Sequence, residues 1–551
     1  MKYIKSLYPF IFPAICAAIL FSVDLGQRSL WLDEGASLSI ASQHGSALSN
    51  ALARDGGNML IYYLLLHLII TIFGNSPVIL RLPSVIGGIL SVLGISLVCA
   101  KLFNNRIAVT SALLTAVSLP FIYWSQNARS YTLLAAAVIW SYYFLIMVLR
   151  AIEENHPKRW HLIGYGFCIL LGAYMSFIAI LVVIPQLILL LQYKKPLREF
   201  ITVLSIDALL CIPLAILAIE RGSGQLFWIE KPSWQITTTV IDALVSTNVA
   251  NNFYPVSSAP ALVNITSLLI LLGLILAVIV AWLIHKKKPV LRSQRNKGKN
   301  KNPSEAPLFL YQKHNMKIEI TRRYAFGLHL VAWWLVFPSL AILIESWLGQ
   351  SIYNPKYFFP FTAPVSILIC YILFSDIIKH KVMPYIGFLV FALLIVLRLA
   401  SVIPNYGISP ENWRQPTEYL IQNYRPHDCV AFYPEDTRTL VSYYLSKDGP
   451  QGKVASRLLV PILPTVALTK MPSYVEDYVT LSPRQLDDYS KTCDRIWLIS
   501  SHQGLPNSTA ISYRHYIRFE RLYQSLGKIY PIVNTTTYGW SATVDVTLFR
   551  R

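Results

Sequence analysis

The chain has 551 residues, of which 54% are hydrophobic and only 14% charged, with a formal net charge of +20. A soluble globular protein carries about 25% charged residues, so the composition indicates a polytopic membrane protein. The positive charge is concentrated in residues 285–323, and no stacking-aromatic or groove-reading motif accompanies it. Between two apolar spans such a loop marks the cytoplasmic face and meets anionic lipid; nucleic acid is not an expected partner.

A spanning helix needs about 20 mainly apolar residues. In chain order the candidates are 7–23, 83–100, 107–123, 131–149, 200–219, 262–284, 325–345, 357–375 and 383–400. The stretch 162–192 is too long for one helix, and Tyr174-Met175-Ser176 suggests a hairpin of two short ones. The first span runs straight into an acidic loop without a small-residue cleavage site, so no cleavable signal is read there.

Lys2 and Lys5, Lys101 with Arg106, Arg150 with Lys158 and Arg159, Lys194 with Lys195 and Arg198, the long basic loop, and Lys379 with Lys381 all read as cytoplasmic. Parity between these anchors requires that the apolar segment 59–74 lie as a re-entrant or juxtamembrane helix. That leaves about 11 crossings, with the N-terminus inside and the C-terminus outside. The outward loops are then 24–57, 124–130, 220–260 and 346–356, and they carry Asp33, Glu34, Asp55, Arg129, Glu230 and Lys356. A common outward vestibule is expected to gather them.

From Ser401 the polarity becomes ordinary. Short apolar runs at Cys429–Tyr433 and Arg495–Ser500, a helical stretch from Thr437 to Leu445 and a last strand at Val544–Phe549 suggest a small α/β domain over 401–551, following a membrane domain over 1–400. Its expected role is acceptor recognition, the duller option being a cap on the vestibule. Cys16, Cys99, Cys168, Cys211 and Cys370 lie in apolar spans as small hydrophobes, whereas Cys429 and Cys493 are free to pair if their domain faces an oxidising compartment.

Trp31-Leu32-Asp33-Glu34-Gly35 places two carboxylates together just after the first span. A partly desolvated carboxylate there has the raised basicity a general base needs, and the bland alternative is a solvated pair ending a helix. Arg129, in Gln126-Asn127-Ala128-Arg129-Ser130-Tyr131, suits a bidentate phosphate clamp or a snorkelling anchor. Lys356, flanked by aromatics in Tyr353-Asn354-Pro355-Lys356-Tyr357, suits a lipid phosphate or an aromatic-belt anchor. Arg81 precedes a span and can set its orientation; His44 and His67 are lone histidines, and Asp207 is an unexplained charge within a span. No second carboxylate stands beside Arg129 in sequence, so the spacing does not support a divalent metal site.

Taken in order, Trp31-Leu32-Asp33-Glu34, Asn58-Met59-Leu60-Ile61-Tyr62-Tyr63, Arg81-Leu82-Pro83-Ser84, Gln126–Tyr131 and Lys356-Tyr357 resemble the type C glycosyltransferases. The pattern is similar to bacterial relatives of the dolichyl-phosphate-mannose protein mannosyltransferases and of the lipid A aminoarabinose transferase. Asn412-Trp413-Arg414 also resembles the opening of an outward C-terminal domain in bacterial members. The resemblance implies an all-α polytopic inner-membrane enzyme with an extracytoplasmic α/β domain. It would move a sugar, with inversion, from a polyprenyl-phosphate carrier to an acceptor hydroxyl on a lipid, glycan or protein. It implies Asp33 as catalytic base, Glu34 orienting it or the acceptor, and Arg129, Lys356 and Arg81 as donor-phosphate ligands. His44, Asp55, Asn58, Tyr131 and Tyr357 are the further vestibule candidates. The donor is a lipid-linked substrate, and neither nucleotide nor metal cofactor is implied.

Two departures stand out: Asn127 replaces a frequent acidic residue, and Asn58-Met59 replaces a Pro-Pro pair with a cation nearby. They keep open a degenerate envelope-assembly scaffold. A transporter or lipid flippase is the other rival, although the internal repeats it would call for are not seen.

Overall fold

A computed structural model describes residues 2–156, 158–221, 226, 229–245, 308–309, 316–375, 383–403, 406–409, 411–448, 481–506, 510–540 and 542–551. The candidate span 262–284 and most of the basic loop 285–323 lie outside the described residues.

The first part is helical: α1 Lys2–Ser22, α2 Leu32–Ala41, α3 Gly45–Arg54, α4 Leu60–Phe73, α5 Pro77–Leu102, α6 Asn105–Ala116, α7 Leu119–Ser125 and α8 Tyr131–Glu153. There follow α9 Arg159–Met175, α10 Val183–Gln192, α11 Arg198–Leu210, α12 Ile212–Arg221, α13 Trp234–Val245, α14 Met316–Leu348, α15 Pro355–Phe358, α16 Ala363–Phe374 and α17 Met383–Val402. By length and hydropathy, Pro77–Leu102, Tyr131–Glu153 and Arg322–Leu348 can each cross a bilayer. The chain is a multi-pass membrane protein.

Three expected straight spans are broken. The 107–123 segment bends by 58° between α6 and α7, 200–219 by 50° between α11 and α12, and 357–375 by 50° where α15 leads to α16. Pro120, Pro213 and Pro364 each lie in the first turn of the second piece, where a missing N–H costs nothing in a new helix but interrupts a continuing one. The 162–192 stretch divides at Ser176, as its length demanded.

The α4 helix has 14 residues, roughly 21 Å at 1.5 Å per residue, against a hydrocarbon core of about 30 Å. Tyr62, Tyr63 and Leu66 are buried on one side, while Leu64, Leu68 and Ile72 are exposed on the other. That two-faced pattern suits a helix lying at the membrane boundary. Its N-cap, Met59, has φ +55°, a value closed to proline, so the Pro-Pro pair of similar proteins has no place in this local geometry.

The centre of the helical part is α5 packed on α8, with α1 and α6 alongside. A Cβ on Gly87 would come within 2.6 Å of the Leu133 backbone nitrogen, so the two helices touch backbone to backbone there. The contact is pinned by Ser84 Oγ donating to the Arg129 carbonyl (2.9 Å) and Thr132 Oγ1 donating to the Ser84 carbonyl (2.7 Å). The close approach therefore fixes the backbone that carries Arg129.

The last part holds α18 Arg414–Asn423, α19 Arg438–Asp448, α20 Pro483–Ser490 and α21 Ala510–Ile529. They accompany a four-stranded sheet of order β1-β2-β4-β3, with β1 Asp428–Tyr433, β2 Arg495–Ser500, β3 Ile532–Tyr538 and β4 Val544–Arg550. Strands β1 and β2 are parallel and wholly buried; β4 runs antiparallel to β2 and to β3. A disulfide joins Cys429 to Cys493. Below the sheet, Arg495 Nε donates to Asp428 Oδ1 (2.7 Å) and Trp497 Nε1 to Asp428 Oδ2 (2.9 Å), so this buried carboxylate is fully engaged.

This part docks directly on the loop after α1. The Leu30 amide donates to the Tyr444 hydroxyl (2.7 Å), the Trp413 amide to Ser29 Oγ (2.9 Å), and Arg414 to the Gln27 carbonyl (3.1 Å). Asn412-Trp413-Arg414 thus opens the C-terminal part as an anchor, with Trp413 completely buried.

Candidate active site

The site is built on the first turn of α2. Consecutive helical residues diverge by about 100°, so Asp33 and Glu34 cannot share an environment. Glu34 is completely buried and forms a two-pronged ion pair with Arg81 of α5: Nε to Oε1 at 2.8 Å and Nη2 to Oε2 at 2.7 Å. The same carboxylate accepts from the Ala128 amide at 2.8 Å, and Arg81 also donates to the carbonyls of Leu25, Arg28 and Ser29. Glu34 and Arg81, expected at the chemistry as orienting acid and phosphate ligand, are instead spent on each other, tying α2, α5 and the Arg129 loop together.

Asp33 points the other way, its side chain 30% exposed. Arg129 Nη2 lies 3.7 Å from Asp33 Oδ2, and Lys356 Nζ lies 4.0 Å from the same oxygen. Arg129 also donates towards the Asp33 carbonyl (3.3 Å) and Ser37 Oγ (3.4 Å), while its buried Nε has no hydrogen-bond partner among the described residues. Tyr131 lies beneath the guanidinium at 5.9 Å and Tyr357 beside the ammonium at 5.5 Å. Asp33, Arg129, Lys356, Tyr131 and Tyr357 therefore meet, although 323 residues of sequence separate Asp33 from Lys356.

Burial favours the neutral acid at Asp33, but Arg129, Lys356 and His502 outweigh it and hold the carboxyl below its ordinary range. The raised basicity expected from desolvation is not reached, because Arg129, Lys356 and His502 together outweigh the burial. Asp55, at the end of α3, behaves oppositely: burial pushes it up to about 7 against the pull of Arg129 and Arg221. Its buried Oδ2 has no hydrogen-bond partner among the described residues. Arg129 thus has a second carboxylate in its field, which sequence adjacency did not reveal.

Asn58 follows Asp55 in a turn, its amide donating to the Asp55 carbonyl at 3.2 Å. His44 is exposed at the start of α3, in edge contact with His67 at 5.1 Å, and His67 Nδ1 lies 2.8 Å from the Ala41 carbonyl. These histidines fasten α4 to α2 and do not reach Asp33 in any described contact. Glu230 contributes only its carbonyl, which accepts from Ser351.

Two residues of the C-terminal part that no motif marked, Glu411 and His502, join the site. Glu411 accepts from the Leu32 amide (2.9 Å), capping the helix that carries Asp33, and from Trp413 Nε1 (2.6 Å). Its other oxygen lies 3.4 Å from His502 Nε2. Burial works against a charged His502, but Glu411, Asp436 and Asp33 together hold its pKa above the ordinary value. Lone polar residues in a loop far along the chain carry no local signal; the rule that α/β domains work at strand carboxyl ends was the available pointer. Among the described residues, no group of three or more His, Cys, Asp or Glu side chains is placed to hold a metal ion.

Residues 59–219 match the family model described as dolichyl-phosphate-mannose-protein mannosyltransferase. The solved structure of ArnT from Cupriavidus metallidurans in the apo state superposes with a TM-score of 0.56 at 10% identity, covering 99% of this chain and 98% of that one. The chain shares the fold of that ArnT. The same ArnT bound to undecaprenyl phosphate gives 0.48 at 12% identity, covering 97% of each chain. The Archaeoglobus fulgidus oligosaccharyltransferase tethered to an acceptor peptide gives 0.43 at 12% identity, covering 99% of this chain and 74% of that one. No curated protein sequence matches the chain. The type C resemblance read from its short motifs holds.

Proposed function

We propose that the protein is an inverting glycosyltransferase that moves a sugar from a polyprenyl-phosphate carrier to an acceptor hydroxyl at the outer face of the cytoplasmic membrane. The observation that carries this reading is a single carboxylate, Asp33, set between two cations, Arg129 and Lys356, that converge from distant loops. The match of residues 59–219 to a family named for a lipid-phosphate sugar donor supports it. On this reading the chain crosses the membrane about 11 times, with the N-terminus inside and residues 401–551 outside.

The cations explain both the low basicity of Asp33 and its activation. A polyprenyl-phosphate sugar is a phosphodiester with one negative charge. Seated on Arg129 and Lys356, it takes up positive charge that otherwise falls on Asp33, and the carboxylate becomes a stronger base as the donor arrives. The acceptor oxygen then attacks the anomeric carbon from the face opposite the phosphate while its proton passes to Asp33. The carbon–oxygen bond to phosphate breaks with its electron pair, and the departing monoester gains charge against the two cations, which stabilise it in the transition state. The proton on Asp33 returns to water. Glu34, locked to Arg81, holds the α2 turn and the Arg129 loop in place.

The test is turnover of radiolabelled polyprenyl-phosphate sugars in membranes containing the native chain or Asp33→Asn at equal expression. Loss of a general base lowers the rate by about 10²–10⁴-fold, so label should move to acceptor or water with the native chain alone. Equal turnover by both removes Asp33 as base, and no turnover of any donor by the native chain overturns the assignment.

A further inference from the structure

We propose that the C-terminal α/β part binds the acceptor itself, gripping a neutral, polyhydroxylated end at the carboxyl termini of β1 and β2, directly beside Asp33. This rests on the glycosyl-transfer reading and adds to it the location and chemical class of the acceptor site.

In open α/β sheets, ligands sit beyond the carboxyl ends of parallel strands. Strands β1 and β2 are the parallel pair, in register from Asp428 with Arg495 to Tyr433 with Ser500. Beyond their ends come Glu435 and Asp436 on one side and Ser501, His502 and Gln503 on the other, joined by the Ser501 amide donating to the Tyr433 carbonyl at 2.9 Å. The short helix Glu435–Thr437 packs on α2, and Glu411 links the α2 N-terminus to His502. The positive charge of His502 is felt at Asp33 itself. The strand ends thus form a wall of the same site that Arg129 and Lys356 border.

Two polar atoms in this wall are unspent. The Ser501 hydroxyl is fully buried and Asp436 Oδ1 is shielded from solvent, and neither has a hydrogen-bond partner among the described residues. A buried polar group without a partner is costly, and the hydroxyls of an arriving acceptor would supply the missing partners. The backbone at His502 is left-handed, with φ +50°, a conformation uncommon for a side-chain-bearing residue and one often found at binding sites.

Charge gives the chemical class. The Arg129 and Lys356 side is cationic and suits the donor phosphate. The strand-end side pairs Glu411 with His502 at 3.4 Å and Glu435 with Arg438 at 2.8 Å and leaves Asp436 over, so among the described residues it offers no surplus cation to an anionic acceptor. Burial pushes Asp436 up to about 7, so near neutral pH this unpaired carboxyl both donates and accepts hydrogen bonds, as sugar hydroxyls require.

The experiment counts two products from radiolabelled polyprenyl-phosphate sugar in membranes: label fixed on acceptor and free sugar released to water. Asp436→Asn, Ser501→Ala and His502→Asn are compared with the native chain; asparagine is chosen at 502 because it tolerates a left-handed backbone. Each should lower the ratio of transfer to release by about tenfold, the worth of one good hydrogen bond to a charged or buried group. Ratios equal to the native value, or transfer and release falling in step, overturn the proposal while leaving the transferase assignment standing. A rise in transfer with Asp436→Lys would show an anionic acceptor and overturn the chemical class. A native chain that consumes no donor overturns the transferase assignment, and this proposal with it.

Discussion

Asp33 and Glu34 differ by one methylene and one position, yet their surroundings separate them completely. Glu34 and Arg81 form a buried pair, 0% and 1% exposed, which removal of either partner would leave as an uncompensated charge. Glu34→Gln or Arg81→Met alone should destabilise the protein by about 3–5 kcal/mol, whereas the double replacement should cost less than the sum. Thermal unfolding of the detergent-purified variants checks this, and simple additivity would show that the pair is not coupled. Asp55 makes a prediction of opposite sign to the usual carboxylate. Its folded pKa, about 7, exceeds the unfolded value, so the native state holds a proton that the unfolded chain releases. Its contribution to stability is therefore present at low pH and is lost as the pH rises from about 4 through 7. Asp55→Asn should flatten that part of the stability profile, measured as melting temperature against pH; an unchanged slope would assign it to other groups such as Glu435 and Asp436.

The α2 helix shows how an element of 10 residues can organise a site. One side is locked by Glu34 to α5, the N-terminus is capped by Glu411, and Gly35 lies against α19. A Cβ at Gly35 would fall 2.7 Å from Leu440 Cγ, so the close approach of the two helices requires glycine there. Gly35→Val should push the C-terminal part off α2, at a cost of about 1–3 kcal/mol, and should lower transfer to acceptor. Trimming the opposing side chain, as Leu440→Ala in the same background, should restore part of that transfer; if it does not, the clash is not the cause. The long apolar helices α5, α8 and α14 were legible because an apolar run of about 20 residues has few other uses. Their bends were not, since a proline in the first turn of a new helix reads like one tolerated within a long helix. Strands β1, β2 and β4 announced themselves as apolar runs, but β3 is a mostly exposed edge strand rich in threonine and gave no such pattern. Arg129 and Lys356 could be placed from loop topology alone, whereas His502 and Glu411 acquire meaning only when the sheet docks on α2.

At the scale of the whole molecule, the proposed reaction site belongs to neither part alone. The helical part supplies Asp33, Arg129 and Lys356, and the C-terminal part supplies the cap on α2 and the strand ends beside it. The integrity of the sheet should therefore matter to chemistry that takes place on α2. The Cys429–Cys493 bond joins the start of β1 to the residues before β2, closing a sequence separation of 64 residues at the base of the two strands that end beside Asp33. Such a bond persists in an oxidising compartment and constrains the unfolded chain, with typical losses on removal of about 2–5 kcal/mol. The paired replacement Cys429→Ser with Cys493→Ser should lower the melting temperature and, before global unfolding, weaken transfer to acceptor more than release of sugar to water. The side on which this part lies can be read with an exposed reporter. If residues 401–551 face outward, a membrane-impermeant maleimide added to intact cells should label Arg521→Cys, whose native side chain is exposed, and leave the native chain, with Cys429 and Cys493 buried and paired, unlabelled. Labelling that requires permeabilised membranes would place the sheet on the cytoplasmic side and remove the outward acceptor site together with the outward direction of transfer.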